Sequence, residues 1–298
     1  LANHPAQPDA ANGVFISITF VSQKEHGMTN QADLQGRWAL ILGASSGFGR
    51  AAGIELAKRG MNIFGVHLDL KATLPLAKQT ISDIEAAGGQ ALFFNTNAAD
   101  PDKRARVLDK IQQKLADDGG AQVVHLMMHS LAFGTLLPFI GDNPDETVSS
   151  PQMDMTLNVM AHSLVFWTQD LMRRSLLARG SRIFSMTSSG SHRVFQRYGA
   201  VSAAKASLES HTRQLAMELG PQGVLVNCIQ AGVTDTPALR KIPGHQALID
   251  MATNFNPAGR MTTEQDVAMT IAALADPRIQ WMSGSVIVVD GAEDIVGA

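Results

Sequence analysis

The sequence predicts an α/β fold: a doubly wound, parallel sheet of seven strands with helices on both faces. Three observations carry that expectation. Short apolar runs alternate with longer segments whose apolar residues recur at helical spacing. The short runs are apolar almost throughout rather than at every second residue, as in parallel strands covered on both faces. The first strong run leads directly into a glycine-rich turn, and a helical pattern follows.

Taken in order, the strands are expected at residues 38–42, 62–66, 91–95, 123–128, 182–186, 224–229 and 286–289. Helical periodicity falls between them at residues 51–59, 74–87, 104–115, 154–177, 203–219 and 264–274. The stretch from Pro237 to Met261 breaks this rhythm, with three prolines, scattered apolar residues and a weak helix. Long segments of that sort in compact domains are usually lids or binding loops, so a substrate lid is expected over about 237–261. No internal repeat or linker interrupts the pattern, and one domain is expected over residues 34–298. Residues 1–33 are read as an N-terminal appendage or oligomer arm; their apolar run Val14–Val21 lacks the basic flank of a secretory signal.

Composition narrows the function. Of 298 residues, 45% are hydrophobic and 17% charged, ample for a buried core. A formal net charge of −3 offers no basic field for nucleic acid or anionic lipid. No run reaches the roughly 20 apolar residues of a membrane-spanning helix, so no membrane partner is expected. The single cysteine, Cys228, excludes an intramolecular disulfide and fits a cytoplasmic location; it is expected in the core. The nine histidines show no metal-binding spacing, and no metal is expected. The methionines Met127, Met128, Met153 and Met155 are expected to fill the core or line an apolar channel.

The turn after the first strand reads Gly43-Ala-Ser-Ser-Gly47-Phe-Gly49. Glycines there let backbone approach a pyrophosphate, and the helix behind supplies free N–H groups and a positive dipole end. A glycine triplet also occurs in ordinary tight turns; its place after the first strand of a Rossmann-like alternation points to a dinucleotide. Downstream, Tyr198 and Lys205 are seven residues apart, nearly two helical turns, which puts them on one face about 10 Å apart along the axis. A nearby cation favours ionisation of a phenol.

These residues together resemble the short-chain dehydrogenases/reductases. Supporting passages run in the same order: Asn97-Ala98 after the third strand, Val226-Asn227 and Ala231-Gly232 around the sixth, and Val289-Asp290-Gly291 at the end. The resemblance implies that Ser188, Tyr198 and Lys205 are catalytic. It implies cofactor contacts from Gly43, Ser45, Ser46, Gly47, Phe48 and Gly49, from His67 and Asp69, and from Asn97 and Ala98. It adds Ser130, Leu131 and Ala132, Lys205, and Ala231, Gly232, Val233, Thr234 and Thr236. Ile229 is expected near the nicotinamide.

Most of that family places the tyrosine four residues before the lysine, where this chain has Val201. The wider spacing, with the segment Tyr198-Gly-Ala-Val-Ser-Ala-Ala-Lys205-Ala-Ser-Leu-Glu, resembles the enoyl-(acyl-carrier-protein) reductases of bacterial fatty-acid synthesis. His129-Ser130-Leu131 and Thr234-Asp-Thr-Pro-Ala-Leu, followed by Asn256-Pro-Ala-Gly-Arg-Met261, resemble the same branch. That branch implies hydride transfer to the C=C of a 2-enoyl thioester, with Tyr198 facing the developing enolate and Lys205 holding the ribose and lowering the phenol's pKa. It also implies an acyl-carrier-protein substrate and a homotetramer.

Departures keep a carbonyl reductase, such as a 3-oxoacyl reductase, as the alternative. The glycine turn is the ordinary one, and Ser188 stands where the enoyl reductases carry a second tyrosine and ketone reductases their serine. The ketone reductases' relay asparagine aligns with Met160, with Asn158 close by. A non-catalytic dinucleotide sensor is the reading from another class; it has no use for Ser188, Tyr198 and Lys205 together. The cofactor is NADH or NADPH. The usual acidic position aligns with His67, Asp69 follows two residues later, and Arg50 and Lys71 are less well placed; the balance leans to NADH.

Overall fold

Alternation along the first strand, β1 (Trp38–Leu42), sets up two cores. Trp38, Leu40 and Leu42 point to one side and Ala39 and Ile41 to the other, and all five are buried. The computed structural model describes residues 34–119 and 123–296. The expected appendage, residues 1–33, lies outside the described residues.

Six further strands follow: β2 (Asn62–His67), β3 (Ala91–Asn95), β4 (Val124–His129), β5 (Arg182–Ser188), β6 (Leu225–Ala231) and β7 (Val286–Val289). They form one sheet in the order β3-β2-β1-β4-β5-β6-β7, with every pair parallel. Order reverses between β1 and β4, and a crevice opens at the carboxyl ends of such strands. The expected seven-stranded α/β architecture is the observed one. β5 and β6 each run two residues beyond expectation, to Ser188 and Ala231, which pair in register.

The helices are α1 (Gly47–Lys58), α2 (Leu74–Ala86), α3 (Pro101–Asp117), α4 (Ser150–Leu157), α5 (Ser163–Arg173), α6 (Gly199–Leu219), α7 (His245–Phe255) and α8 (Glu264–Leu274). On one face, Val107, Leu108 and Ile111 of α3, Leu164 and Trp167 of α5, and Leu208 and Leu215 of α6 pack with Leu40, Leu42 and Phe64. On the other, Leu56 of α1, Ile84 of α2, and Val267 and Ile271 of α8 pack with Ile41 and Ile63. Each such side chain contributes about 1.5–3 kcal/mol on burial.

Two expectations need correction. The helix expected over 154–177 is three pieces: α4, a π-helical turn over Asn158–His162, and α5. The wider turn brings Ser163 beneath β4, where its hydroxyl meets His129 Nε2 at 2.7 Å. Helix α5 stops at Arg173; Leu176 is needed instead against the sheet, where its carbonyl accepts from Val124 N. The segment 237–261 carries a 3-10 turn (Leu239–Lys241) and the three-turn helix α7, in place of the weak helix expected. Among the described residues, no helix is long and apolar enough to cross a membrane.

Arg182 opens β5 and is almost fully buried. Its guanidinium donates to the carbonyls of Gly180, Leu274, Asp276 and Ile279, tying the start of β5 to the end of α8. Arg182→Met should leave those four acceptors without a donor and cost about 3 kcal/mol. Chemical denaturation that finds a loss below about 1 kcal/mol would show that water replaces the guanidinium.

Candidate active site

The turn after β1 is held by close backbone packing. Gly43 has φ +90°, and a Cβ there would run into the carbonyl of Ser130, at the end of β4. A Cβ on Gly49 would run into the Gly43 carbonyl. Gly43 N and Ala44 N both donate to Val66 O, so the turn is pinned to β2 as well. Gly47 is left-handed at φ +57°, and a Cβ there would make only ordinary contact, with Thr236 beyond β6 at 3.9 Å and with Glu264 Oε1 at 4.0 Å. A cradle thus opens between the N-terminus of α1 and the loop after β6, lined by backbone N–H groups. It suits a pyrophosphate.

Around this cradle the expected residues sort themselves. Ser45 and Ser46 flank it, and the Ser46 side chain makes no capping bond. Phe48 packs into the core below β1 instead. At the end of β2, His67 Nδ1 meets Asp69 Oδ2 at 2.7 Å. Burial acts to raise Asp69, but Thr73, Ser45 and His67 outweigh it and hold the carboxyl below its ordinary value. Arg50 is engaged elsewhere, at 2.6 Å from Asp83, and Lys71 is exposed. Asn97 caps its own turn through Ala99 N, and Ala98 O accepts from Trp167 Nε1. Leu131 packs on the core while Ala132 is exposed. Ala231, Thr234 and Thr236 are buried, and Thr234 Oγ1 donates to Gly232 O. Val233 N donates to the Glu293 carboxylate. Ile229 does not reach the site: it is fully buried in the core two residues short of the strand end.

On the far side of the crevice, the last three residues of β5 each engage one residue of α6 or its N-cap. Met186 O accepts from Lys205 Nζ at 2.6 Å. Thr187 Oγ1 donates to Glu209 Oε1 at 2.7 Å. Ser188 lies beside Tyr198: a Cβ on Gly190 would sit 2.5 Å from the phenol ring and 3.2 Å from Ser188 Oγ. Ser188 Oγ is buried with no hydrogen-bond partner, and Tyr198 caps α6 with its ring edge-on to Phe195. A buried hydroxyl without a partner beside a half-buried phenol is a site prepared for another polar group.

The electrostatics correct one expectation. Burial pushes the Tyr198 phenol above its ordinary value, and Ser188 offsets part of this. Lys205 does not bring the phenol down; its ammonium is committed to Met186 O. Burial draws Lys205 itself down to about 8, while Cys228 and Glu209 act the other way. His129, fully buried and close to Lys205, is pushed down to about 3 by burial first and by that cation second, so it is neutral, and its Nδ1 has no partner. Glu209 and Thr187 were not singled out from sequence. An acid four residues after Lys205 was the available signal.

Val201 and Met160, the positions matching the ketone reductases' tyrosine and asparagine, are both buried in the core and meet at Gly134. A Cβ on Gly134 would lie 2.9 Å from Val201 and 3.0 Å from Met160 Sδ. Cys228 is core as expected, bonded to Ser185 and Thr212. Among the described residues, no group of three or more His, Cys, Asp or Glu side chains converges as metal ligands would.

Residues 43–292 match the family described as enoyl-(acyl carrier protein) reductase. A 1-cyclohexenylcarbonyl-CoA reductase of Streptomyces collinus is 28% identical over 264 residues, spanning 87% of each chain. A cyclohexanol dehydrogenase of Rhodococcus sp. (strain TK6) is 29% identical over 282 residues, spanning 89% of this chain and 98% of its own. An NADH-type enoyl-[acyl-carrier-protein] reductase of Aquifex aeolicus (strain VF5) is 26% identical over 265 residues, 89% of this chain and 93% of its own. The crystal structure of the Aquifex protein has the same fold, with a TM-score of 0.75 over 89% of this chain and 99% of that one.

Because its folded pKa of about 8 lies below the ordinary 10.5, the charged Lys205 disfavours folding at neutral pH, and that cost fades as pH rises from about 8 to 10.5. Glu209→Gln removes a charge that holds Lys205 up, so the lysine should titrate lower still. NMR of Lys labelled with 13C at Cε should place the parent midpoint near 8 and the variant's below it. Equal midpoints would separate Glu209 from Lys205.

Proposed function

Since this chain belongs to the enoyl-(acyl carrier protein) reductase family of the short-chain dehydrogenases/reductases, we propose that it reduces the C=C of a 2-enoyl thioester with a nicotinamide cofactor. One observation carries the reading furthest. Val201 and Met160 stand where ketone reductases place a phenol and an amide, and both are packed apolar core. Tyr198, the only tyrosine, is left as the sole phenol at the crevice.

The cradle fits the cofactor by the α1 N-terminus, where Ser46 makes no capping bond, and by the unpartnered Ser188 hydroxyl. The α1 N-terminus with Ser46 would hold the pyrophosphate, Asp69 the adenosine ribose, Thr234 and Thr236 the carboxamide side, and Lys205 the nicotinamide ribose. When bound, the reduced nicotinamide supplies the hydride. Addition at the β carbon of an enoyl thioester gathers negative charge on the thioester oxygen, and a proton taken from solvent at the α carbon then completes the saturated thioester. Tyr198 directs its O–H at that oxygen. A phenol raised by burial stays protonated at neutral pH and so remains a donor throughout. Ser188 stands beside it, and burial of the phenol strengthens the bond as charge develops.

Carbonyl reduction is the second reading, favoured by the Ser188 hydroxyl beside Tyr198 and by the cyclohexanol dehydrogenase relative. The two separate in one absorbance assay. Crotonyl thioesters should be reduced much faster than acetoacetyl thioesters, and Tyr198→Phe should lower kcat about 10²- to 10³-fold with cofactor affinity nearly unchanged. Preference for the ketone would reverse the assignment. Adding Val201→Tyr to Tyr198→Phe should not restore turnover: the new ring would have to displace core around Gly134, costing about 1–3 kcal/mol.

For the cofactor we favour NADH. The Asp69 carboxylate, kept ionised beside Ser45, suits a ribose diol and repels a 2′-phosphate. Asp69→Ser should shift the ratio of kcat/KM for NADPH over NADH upward about tenfold, or about 1.4 kcal/mol. No shift would place the discrimination elsewhere.

A further inference from the structure

The loop between Ser188 and Tyr198 has little to hold it by apolar packing. Within it only Gly190 is buried, Val194 is 97% exposed, and Arg197 adopts φ +62°. Yet this loop joins the serine at the end of β5 to the phenol at the N-cap of α6. Its anchorage comes from a different part of the chain, the turn after β7.

That turn, residues 290–294, is stiffened from within. Asp290 Oδ1 accepts from Ala292 N and its Oδ2 from Asp294 N, both at 2.8 Å. Gly291 and Ala292 are both left-handed, at φ +65° and +72°. From this base it reaches outward in three directions. Asp290 O accepts from Asn256 Nδ2 at 2.7 Å, at the end of the segment that carries α7. The Glu293 carboxylate accepts from Val233 N at 3.1 Å, in the loop after β6. Asp294 takes the loop after β5: Oδ1 lies 2.7 Å from Arg193 Nε and Oδ2 2.9 Å from His192 Nε2, while Gln230 Nε2 donates to Oδ2 at 2.8 Å. The Arg193 guanidinium also donates to Asp294 O.

The hydrogen-bond roles are determined by charge. A carboxylate only accepts, so His192 bears its proton on Nε2. In the neutral ring Nδ1 then accepts from Ser191 Oγ, at 3.0 Å. The tether therefore runs from Asp294 through His192 to Ser191, three residues from Ser188. Its second arm runs through Arg193.

We infer that Asp294 is a positioning residue for the reaction: by holding His192, Arg193 and Gln230 it fixes the Ser188–Tyr198 loop against the β6 strand and so sets the mouth through which substrate reaches the phenol. Asp294 itself touches no reacting atom. Lys205 and the glycine turn are anchored independently of it, and the loop after β6 is held to the same turn by Glu293 at Val233 N, so cutting the Asp294 contacts leaves the cofactor's own anchors in place. The inference rests on the reading that Ser188 and Tyr198 meet the substrate.

The test uses Asp294→Asn in the full chain, which keeps the shape and removes the charge. Hydrogen exchange in the protein without added ligand should lose about tenfold or more protection across 189–197, with the β1, β4 and β5 strands unchanged. With the thioester or ketone that the parent reduces, the acyl KM should rise about tenfold, while cofactor Kd stays within about twofold. If the variant does not fold, Arg193→Gln cuts the same tether from the loop side and is measured identically. Unchanged protection at 189–197 would overturn the inference. A parallel loss of acyl and cofactor affinity with lower Tm would also overturn it, since that marks general loosening. The exchange measurement needs no substrate, so its outcome stands even where the substrate assignment is wrong.

Discussion

Strand β5 holds helix α6 by three successive residues, and the chemistry at the crevice depends on that registration. Met186 offers its carbonyl to Lys205, Thr187 its hydroxyl to Glu209, and Ser188 stands beside Tyr198. The three partners lie up to eleven residues apart along α6, about 16 Å of helix axis, so the helix is held at more than one turn. The helix cannot slide or rotate without losing a hydrogen bond to a buried or half-buried polar group, and such losses cost about 1–3 kcal/mol each. Placing the ammonium and the phenol is therefore a consequence of strand–helix docking and not of helix geometry alone.

That docking also explains the separation of electrostatic roles. The Lys205 ammonium donates to a carbonyl, with Glu209 one turn away, and the phenol is left to its own surroundings. A protonated donor above its ordinary pKa is suited to stabilising charge that appears on a substrate oxygen. It is less suited to serving as a base. The neutral, buried His129 next to Lys205 contributes an unpartnered nitrogen and no charge. Burial, more than charge pairing, tunes Tyr198, Lys205 and His129 along this wall.

Across the crevice, the same economy appears in backbone. Gly43 and Gly49 permit the turn after β1 to close onto Ser130 and onto itself, and the α1 N-terminus behind it is left without a side-chain cap. The turn after β7 then ties the rim, made of the loops after β5 and β6 and the end of the α7 segment, to one stiff element. Two rigid walls, one of strand and helix and one of turn and dipole, thus face each other across the sheet's reversal point.

Much of this was legible in the sequence because it is local. The apolar runs located all seven strands, since a strand buried on both faces must be apolar throughout, and the residues 43–49 announced their turn by composition alone. The nearness of Tyr198 and Lys205 along one helix follows from spacing, whereas the reading of Val201 as the position without the tyrosine came from the family resemblance. What sequence could not supply was any relation between segments distant along the chain. The break at Asn158–His162 arises because His129, on a strand, needs Ser163 beneath it. Ile229 looked like a cofactor contact by alignment, yet β6 extends far enough to leave it in the core. Whether Lys205 would lower the phenol depended on which carbonyl stood nearest, and Asp294 gained its partners only when β7 was laid beside β6. Periodicity and composition are written along the chain and determined the elements; hydrogen-bond partners, burial and pKa are properties of what surrounds a side chain, and only the tertiary structure decided them.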